Sequence, residues 1–242
     1  VLVNIKQVDT TFTLGKFKEY SNDGRVGKLT YNLAIINHEY DLYISEPFVC
    51  TIDCTISLNA NAKVKSMYKL VTPNIYYATK SIKIEGGDFS QLTSLNHTFN
   101  GLDTSNVSIP KLDISTITDM SYAFANAKAI LDVSEWDMNG VTTVSHMFSG
   151  SGITSLDLTK WDISTITDMS YLFNDCTALQ TVNFNSENWR TAHVTNMSHM
   201  FANCTSITSL NLYYFDTASL TSYDNMMMNV PVEADISVTA RL

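Results

Sequence analysis

The sequence predicts a β-rich chain with short helices, in which a small antiparallel β domain precedes a repeat solenoid of six units and a capping strand. Three observations predict it. Ten consecutive residues recur unchanged, from Asp113 to Tyr122 and from Asp162 to Tyr171. An aromatic anchor follows each copy and returns at Phe99, Phe124, Phe148, Phe173 and Phe201, with Met227 last; subtracting these positions gives steps of 25, 24, 25, 28 and 26 residues. Residues 1–79 carry none of the repeat's columns and are rich in Val, Ile, Tyr and Thr between turn signals. A period of roughly 20 to 50 residues marks an array in which each unit is one supersecondary element and stacking buries a core that no single unit could bury.

Within each unit the columns are strict. Six residues before the anchor stand Thr93, Thr118, Thr142, Thr167, Thr195 and Thr221. The columns seven and four before it are apolar, apart from Tyr223 in the last unit, and point inward. A Thr followed three residues later by a small polar residue reads as the N-cap of a helix of one or two turns, its hydroxyl taking an orphan backbone N–H. Upstream, an apolar-x-apolar triplet recurs as Ile82/Ile84, Val107/Ile109, Leu131/Val133, Leu156/Leu158, Val182/Phe184 and Leu210/Leu212, each predicting a short parallel strand. A seventh triplet, Ile236/Val238, predicts the capping strand.

Residues 1–79 read as strands over Leu29–Ile36, Tyr40–Ile44, Val49–Leu58 and Val64–Val71, separated by Asn22-Asp23-Gly24, Asn37-His38, Glu46-Pro47 and Asn59-Ala60-Asn61. Pro73-Asn74 is the expected joint to residues 80–242. One structural role for the first domain is to cap the exposed end of the array.

The pattern Leu156-Asp157-Leu158, Trp161-Asp162, Thr167-x-Met169-Ser170-x-x-Phe173-x-x-Cys176 resembles the BspA-like leucine-rich repeats of bacterial surface proteins, also met in some protozoan and viral proteins. The resemblance covers about residues 80–240 and implies a leucine-rich-repeat solenoid. For function it implies adhesion or matrix binding only in outline, because the family is defined by its scaffold. Departures are local: Ser186-Glu187-Asn188 lengthens the fifth unit, Gly87 lacks the aromatic of later units, and Met227 replaces the last Phe.

Charge divides along the same boundary. Up to Lys83 there are ten basic and seven acidic residues, net +3; the remainder holds five and seventeen, net −12, which together give the chain's −9. An acidic array repels phosphate backbones, which argues against nucleic acid as partner. No run of about 18 apolar residues reads as a membrane span. Lys6 and Lys16 to Glu19 interrupt any apolar leader, so Val1 fits either a leader already removed or loss of an initiator Met alone.

Three columns bear on function. Leu112, Trp136, Trp161, Trp189 and Phe215 could form a strip for stacking sugars, but their regular spacing favours core, beside the Phe anchors. Asp88, Asp113, Asp137, Asp162 and Asp216, with Arg190 interrupting, suggest local caps to backbone N–H groups through an Asp-x-Ser pattern; calcium is the rival reading, without a Gly-rich calcium loop to support it. Two residues before the anchor, His97, Tyr122, His146, Tyr171 and His199 alternate, and these are the candidate partner-binding residues, either as a face for a partner or as a stack upon itself. Cys176 and Cys204 sit in a small column three residues after the anchor and read as buried free thiols, while Cys50-x-x-x-Cys54 has neither redox nor zinc spacing.

No Gly-rich phosphate loop, His-Glu-x-x-His or Gly-x-Ser-x-Gly occurs, and neither His38 nor His193 has a recognisable partner for catalysis. Catalytic, cofactor-binding and metal-binding residues are therefore assigned to none. The sequence reads as a non-enzymatic, surface-exposed structural and recognition protein that presents its repeats to a protein or glycan on a cell or particle surface. A homo-oligomer or larger assembly is compatible with it. Localisation at the cell surface or outside the cell follows, and the alternative is a virion component such as a capsid decoration, head-fibre or tail-associated protein.

Overall fold

Among the described residues, short runs of β-branched and apolar residues give nine strands: β1 (Arg25–Leu33), β2 (Ile36–Tyr43), β3 (Cys54–Leu58), β4 (Ile82–Glu85), β5 (Val107–Ser108), β6 (Ser155–Asp157), β7 (Thr181–Asn183), β8 (Ser209–Leu212) and β9 (Asp235–Val238). The computed structural model describes residues 25–33, 36–43, 54–58, 67, 82–86, 88–103, 107–109, 112–184 and 189–238. β1 pairs antiparallel with β2 and with β3; β3 then runs parallel to β4, and β4 parallel to β5. The result is one five-stranded sheet in the order β2-β1-β3-β4-β5. β3 thus occupies the place of one more rung ahead of the first repeat strand, and the sheet passes without a break from the N-terminal region into the repeats.

The first hairpin differs from expectation. Asn37 and His38 were expected in a turn, yet both lie within β2, paired with Asn32 and Tyr31, because the pairing Leu33↔Ile36 makes the chain reverse earlier. A ladder of eight pairs outweighs the local turn preference of two residues. The expected strand over 64–71 lies outside the described residues except for Met67, which is buried. The expected joint at Pro73-Asn74 and the turns at 22–24, 46–47 and 59–61 also lie outside them.

Of the seven apolar triplets, six fall on or against strands β4 to β9. Leu131/Val133 does not. Its departure interrupts the ladder between β5 and β6; beyond it β6-β7 and β8-β9 form two separate parallel pairs. A groove of about 830 Å³ opens there, floored by Ile109, Ile130, Leu131 and Trp136.

The expected short helices are absent; the described residues hold almost no helix. Each anchor segment is instead a run of interlocked turns, with its N–H groups sent alternately in two directions. In the fourth unit Leu172, Asn174 and Cys176 donate within the segment, to the carbonyls of Met169, Tyr171 and Phe173 at 3.3, 3.1 and 3.0 Å. Met169, Tyr171, Phe173 and Asp175 donate to the next unit, to Asn196, Ser198, Met200 and Ala202 at 2.9, 2.9, 2.9 and 2.8 Å. An α-helix would keep all of these bonds to itself. Parallel bridges run through the same segments, from Ser94 to Asp119, Thr143, Asp168, Asn196 and Ser222 in succession.

The Thr column consequently does not cap helices. Thr167 gives both its N–H (2.9 Å) and its hydroxyl (3.3 Å) to the carbonyl of Thr142 in the preceding unit, and Thr118, Thr142, Thr195 and Thr221 repeat the pattern. Inside, the anchors stack ring on ring, with centroids 5.1 Å apart for Phe99–Phe124, 5.8 Å for Phe124–Phe148, 5.7 Å for Phe148–Phe173 and 5.4 Å for Phe173–Phe201. All five are fully buried. Phe124, Phe148 and Phe173 therefore each pack against anchor rings above and below, and removing one of them exposes two neighbours.

Phe173→Ala should cost about 3 to 5 kcal/mol and Met227→Ala, at the half-buried end, less than about 2 kcal/mol. Thermal unfolding of both variants checks this, and equal small losses would contradict a core shared between units. Because the exposed Thr167 hydroxyl shares an acceptor with its own N–H, Thr167→Val should cost only about 0.5 kcal/mol, below the ~1 kcal/mol typical of a lost N-cap. Chemical denaturation of the variant beside Thr167→Ser measures the difference.

Candidate partner-contact face

The interlocked turns need two left-handed residues per unit. One column, two residues after the anchor, supplies Gly101, Asn126, Gly150, Asp175, Asn203 and Asn229, with φ between 56° and 74°. These types tolerate positive φ at the third residue of a turn. At Gly150 the requirement is also steric, since a Cβ would lie 2.6 Å from Oδ1 of Asn126. This Gly/Asn/Asp column was legible in the sequence and would have argued for turns over helices. The same column is tied by amides: Asn203 Nδ2 donates to Asp175 Oδ1 at 2.6 Å and Asn229 Nδ2 to Asn203 Oδ1 at 2.7 Å.

The other left-handed column is the candidate partner-binding set. His97, Tyr122, His146, Tyr171 and His199 have φ of 54°, 58°, 56°, 57° and 57°. Among non-glycine residues His is comparatively tolerant of this region and a bulky aromatic is not. What holds the tyrosines there is the stack. Ring centroids lie 4.5 Å apart for His97–Tyr122, 4.4 Å for Tyr122–His146, 4.3 Å for His146–Tyr171 and 4.5 Å for Tyr171–His199, with planes 6° to 20° apart.

The structure brings all five rings into one continuous, half-buried column. Apart from the outer faces of His97 and His199, their flat faces are covered by one another, so between its ends this half-buried column meets solvent with ring edges. Beside it runs a polar row: Ser145 and Ser170 hydroxyls lie 2.9 Å apart, Ser198 and Ser222 2.6 Å, and Ser94 donates to Asp119 Oδ2 at 3.2 Å. At the ends, His97 Nδ1 lies 2.6 Å from Asn96 Oδ1 and His199 Nε2 lies 3.5 Å from Asn225 Nδ2. Burial lowers the pKa of His146 from its ordinary value; the Asp168 carboxylate acts in the opposite sense and His97 in the same one.

The tryptophan column divides. Trp161 and Trp189 are fully buried, and their indole N–H groups donate to the carbonyls of Val133 (2.8 Å) and Leu158 (2.6 Å) one unit earlier. Trp136 is only partly buried, in the groove where the ladder is interrupted. The Asp column serves the backbone. Asp88, Asp113, Asp137, Asp162 and Asp216 each accept the N–H two residues on, at 2.9 to 3.0 Å. A second set, Asp132 and Asp157, does the same, and so does a third, Asp119, Asp168 and Asn196. Asp113 and Asp132 hold their carboxyls below the usual range through the hydroxyl and N–H of Ser115 and Ser134.

Cys176 and Cys204 are buried free thiols that donate to the carbonyls of Phe148 and Phe173, both at 3.0 Å. Burial pushes Cys176 up to about 11 and raises Cys204 as well. Cys50 lies outside the described residues.

A parallel stack of turn-and-strand units, extended at its first strand by an antiparallel sheet, defines a β-rich repeat protein. Residues 64–182 and 151–237 match the family model described as "Mycoplasma protein of unknown function, DUF285", so the chain belongs to that family. The match is consistent with a BspA-like surface protein. No curated protein and no solved structure matches the chain.

At Tyr171 the left-handed backbone and the stack make separable demands. Tyr171→Asn keeps a residue suited to the backbone and loses the ring; Tyr171→Val loses the ring and is strained as well. The second should be less stable than the first by about 1 to 2 kcal/mol, read from denaturant midpoints. For His146 the folded pKa is depressed, so its contribution to stability is present above the unfolded value of about 6.5 and is lost as pH falls through the folded value. Tm should therefore fall on acidification below about pH 6.5, and His146→Asn should flatten that part of the profile. A profile unchanged by the substitution would remove His146 from the account.

Proposed function

We propose that this chain is a non-enzymatic, surface-exposed recognition protein whose six-unit leucine-rich-repeat solenoid, closed by a capping strand, presents the His/Tyr column to a protein or glycan in the manner of an adhesin. The observation that carries this reading is the continuous row of ring edges from His97 to His199, held in register by the backbone of five successive units. Family membership supports it through the resemblance to surface proteins.

The geometry narrows the kind of contact. A sugar stacks on an exposed ring face, and the interior faces of this column are covered. Recognition would run through hydrogen bonds from phenol hydroxyls and imidazole nitrogens to amides or sugar hydroxyls. The N-terminal region, where the sequence up to Lys83 carries a net +3, is the part proposed to attach to the parent surface or to cap the array, and the acidic repeats the part proposed to face outward.

The test uses the full chain, labelled and applied to arrays of glycans and to extracellular-matrix proteins. Tyr122→Phe with Tyr171→Phe removes two edge hydroxyls and keeps the stack. Binding that falls by about fivefold or more, as expected for one or two lost hydrogen bonds, supports the reading. Binding that is unchanged moves recognition off this face. Protease treatment of intact cells, followed by detection of the chain, tests exposure at the surface.

A further inference from the structure

The third unit departs from the others where its strand should be. β5 ends one sheet and β6 another, and between them in chain order Ile130, Leu131 and Asp132 form no strand. Among the described residues, the backbone N–H and C=O groups of these three make no hydrogen bond. The tryptophan of the same unit is left over in the same way. Trp161 and Trp189 spend their indole N–H groups on carbonyls one unit earlier, whereas Trp136 is half-buried and its Nε1 has no partner among the described residues. A tryptophan N–H in partly apolar surroundings ordinarily finds an acceptor. Both kinds of unspent polar group border the groove of about 830 Å³ that opens beside β5.

The walls of the groove select what can fill it. Its apolar floor, with Val107, Ile109, Ile130 and Leu131, suits aliphatic side chains. Its rim carries the exposed carboxylates of Asp113, Asp132, Glu135 and Asp137, and no Lys or Arg lines it among the described residues. Lys160 pairs with Glu135, and Lys111 lies outside the described residues. Asp113, Asp132 and Asp137 each hold an N–H of their own turn, but a carboxylate has sites for about four donors, so each can still take a cation. Trp136 adds a ring face over which a cation is held favourably. The unspent backbone and indole groups match amides, the floor matches aliphatic side chains and the rim matches cations. An extended polypeptide carries all three, whereas a neutral glycan leaves the carboxylates without a counter-charge. We propose that this groove binds an extended segment of a protein partner in which apolar residues alternate with Lys or Arg, laid alongside residues 130–132 through backbone hydrogen bonds, with a cationic side chain at Trp136. No ring of the His/Tyr column lines the groove, so the site is independent of that column.

The experiment is fluorescence polarisation on the full chain with a set of labelled peptides of about six residues, ~20 Å when extended, in which Val, Ile or Phe alternates with Lys or Arg. The expected result is saturable binding that weakens as salt rises and is lost when Glu replaces Lys and Arg. Methylating the backbone nitrogens of the best peptide should weaken it by about tenfold or more. Asp132→Asn with Asp137→Asn keeps acceptors for the N–H groups of Ser134 and Asn139 and removes two charges, so affinity should fall by about tenfold or more with Tm unchanged. Trp136→Phe, which keeps a ring and removes the N–H, should weaken binding less than Trp136→Ala. Tyr122→Phe with Tyr171→Phe should leave peptide binding unchanged, so failure here is distinct from failure of the His/Tyr face. Binding to none of the peptides at millimolar concentration overturns the proposal. So does binding indifferent to backbone methylation or to the groove substitutions, which marks general attraction to an acidic surface. A groove that takes neutral oligosaccharides in preference to these peptides overturns it as well.

Discussion

The structure depends on how one short segment divides its backbone hydrogen bonds. From four residues before each Phe anchor to three after it, successive N–H groups alternate between the segment's own turn and the next unit. That alternation forces left-handed residues at two places per unit and sets the spacing between units. The ring column follows from it, with centroid separations of 4.3 to 4.5 Å that are close to the about 4.8 Å between neighbouring strands. So do the Thr ladder, the Asn203–Asn229 amide contact and the stacked Phe core. Side chains of one kind recur in a column because they meet their own kind one unit away.

The same arrangement explains how repeats that carry a net charge of −12 beyond Lys83 stay together. Carboxylates in one column on successive units would repel if left to solvent. Most of them instead accept an N–H two residues on in their own turn, so the charge is engaged within each unit before units meet. Hydroxyls, amides and indole N–H groups supply the side-chain contacts between units. Stability is then carried by burial and by hydrogen bonds mostly between neutral groups, with Lys160–Glu135 as an exposed ion pair between units, and the acidic surface is free to govern solubility and the choice of partner.

Much of this was legible in the sequence and some was not, for physical reasons. The period, the Phe anchors and the buried Trp161 and Trp189 follow from spacing and apolarity alone. The Asp-x-Ser caps follow from the chemistry of a short acceptor two residues from a donor. The helices were misread because Thr followed by a small polar residue also suits an N-cap, and the evidence against them lay in the Gly101/Asn126/Gly150/Asp175 column. Positive φ at Tyr122 and Tyr171 had no signal of its own, since tyrosine is tolerated there only through the rings above and below. The missing strand at Leu131/Val133 also had none, because that triplet matches its neighbours in character. In the N-terminal region the register of β1 on β2 overrode the turn residues Asn37 and His38, which only the partner strand could reveal.

The order of rings in the exposed column has its own logic. Adjacent imidazoles about 4.4 Å apart could not both take a proton without strong repulsion, since two unit charges at ~4 Å interact by about 4 kcal/mol at the effective dielectric of a protein surface. With Tyr122 between His97 and His146, and Tyr171 between His146 and His199, each imidazole is two units from the next. His97 still opposes protonation of His146, but less than burial does. A tyrosine face is also a favourable neighbour for a cation, so a protonated histidine keeps its place in the stack. The alternation lets the column present nitrogen and hydroxyl edges along its length while no two adjacent rings compete for charge.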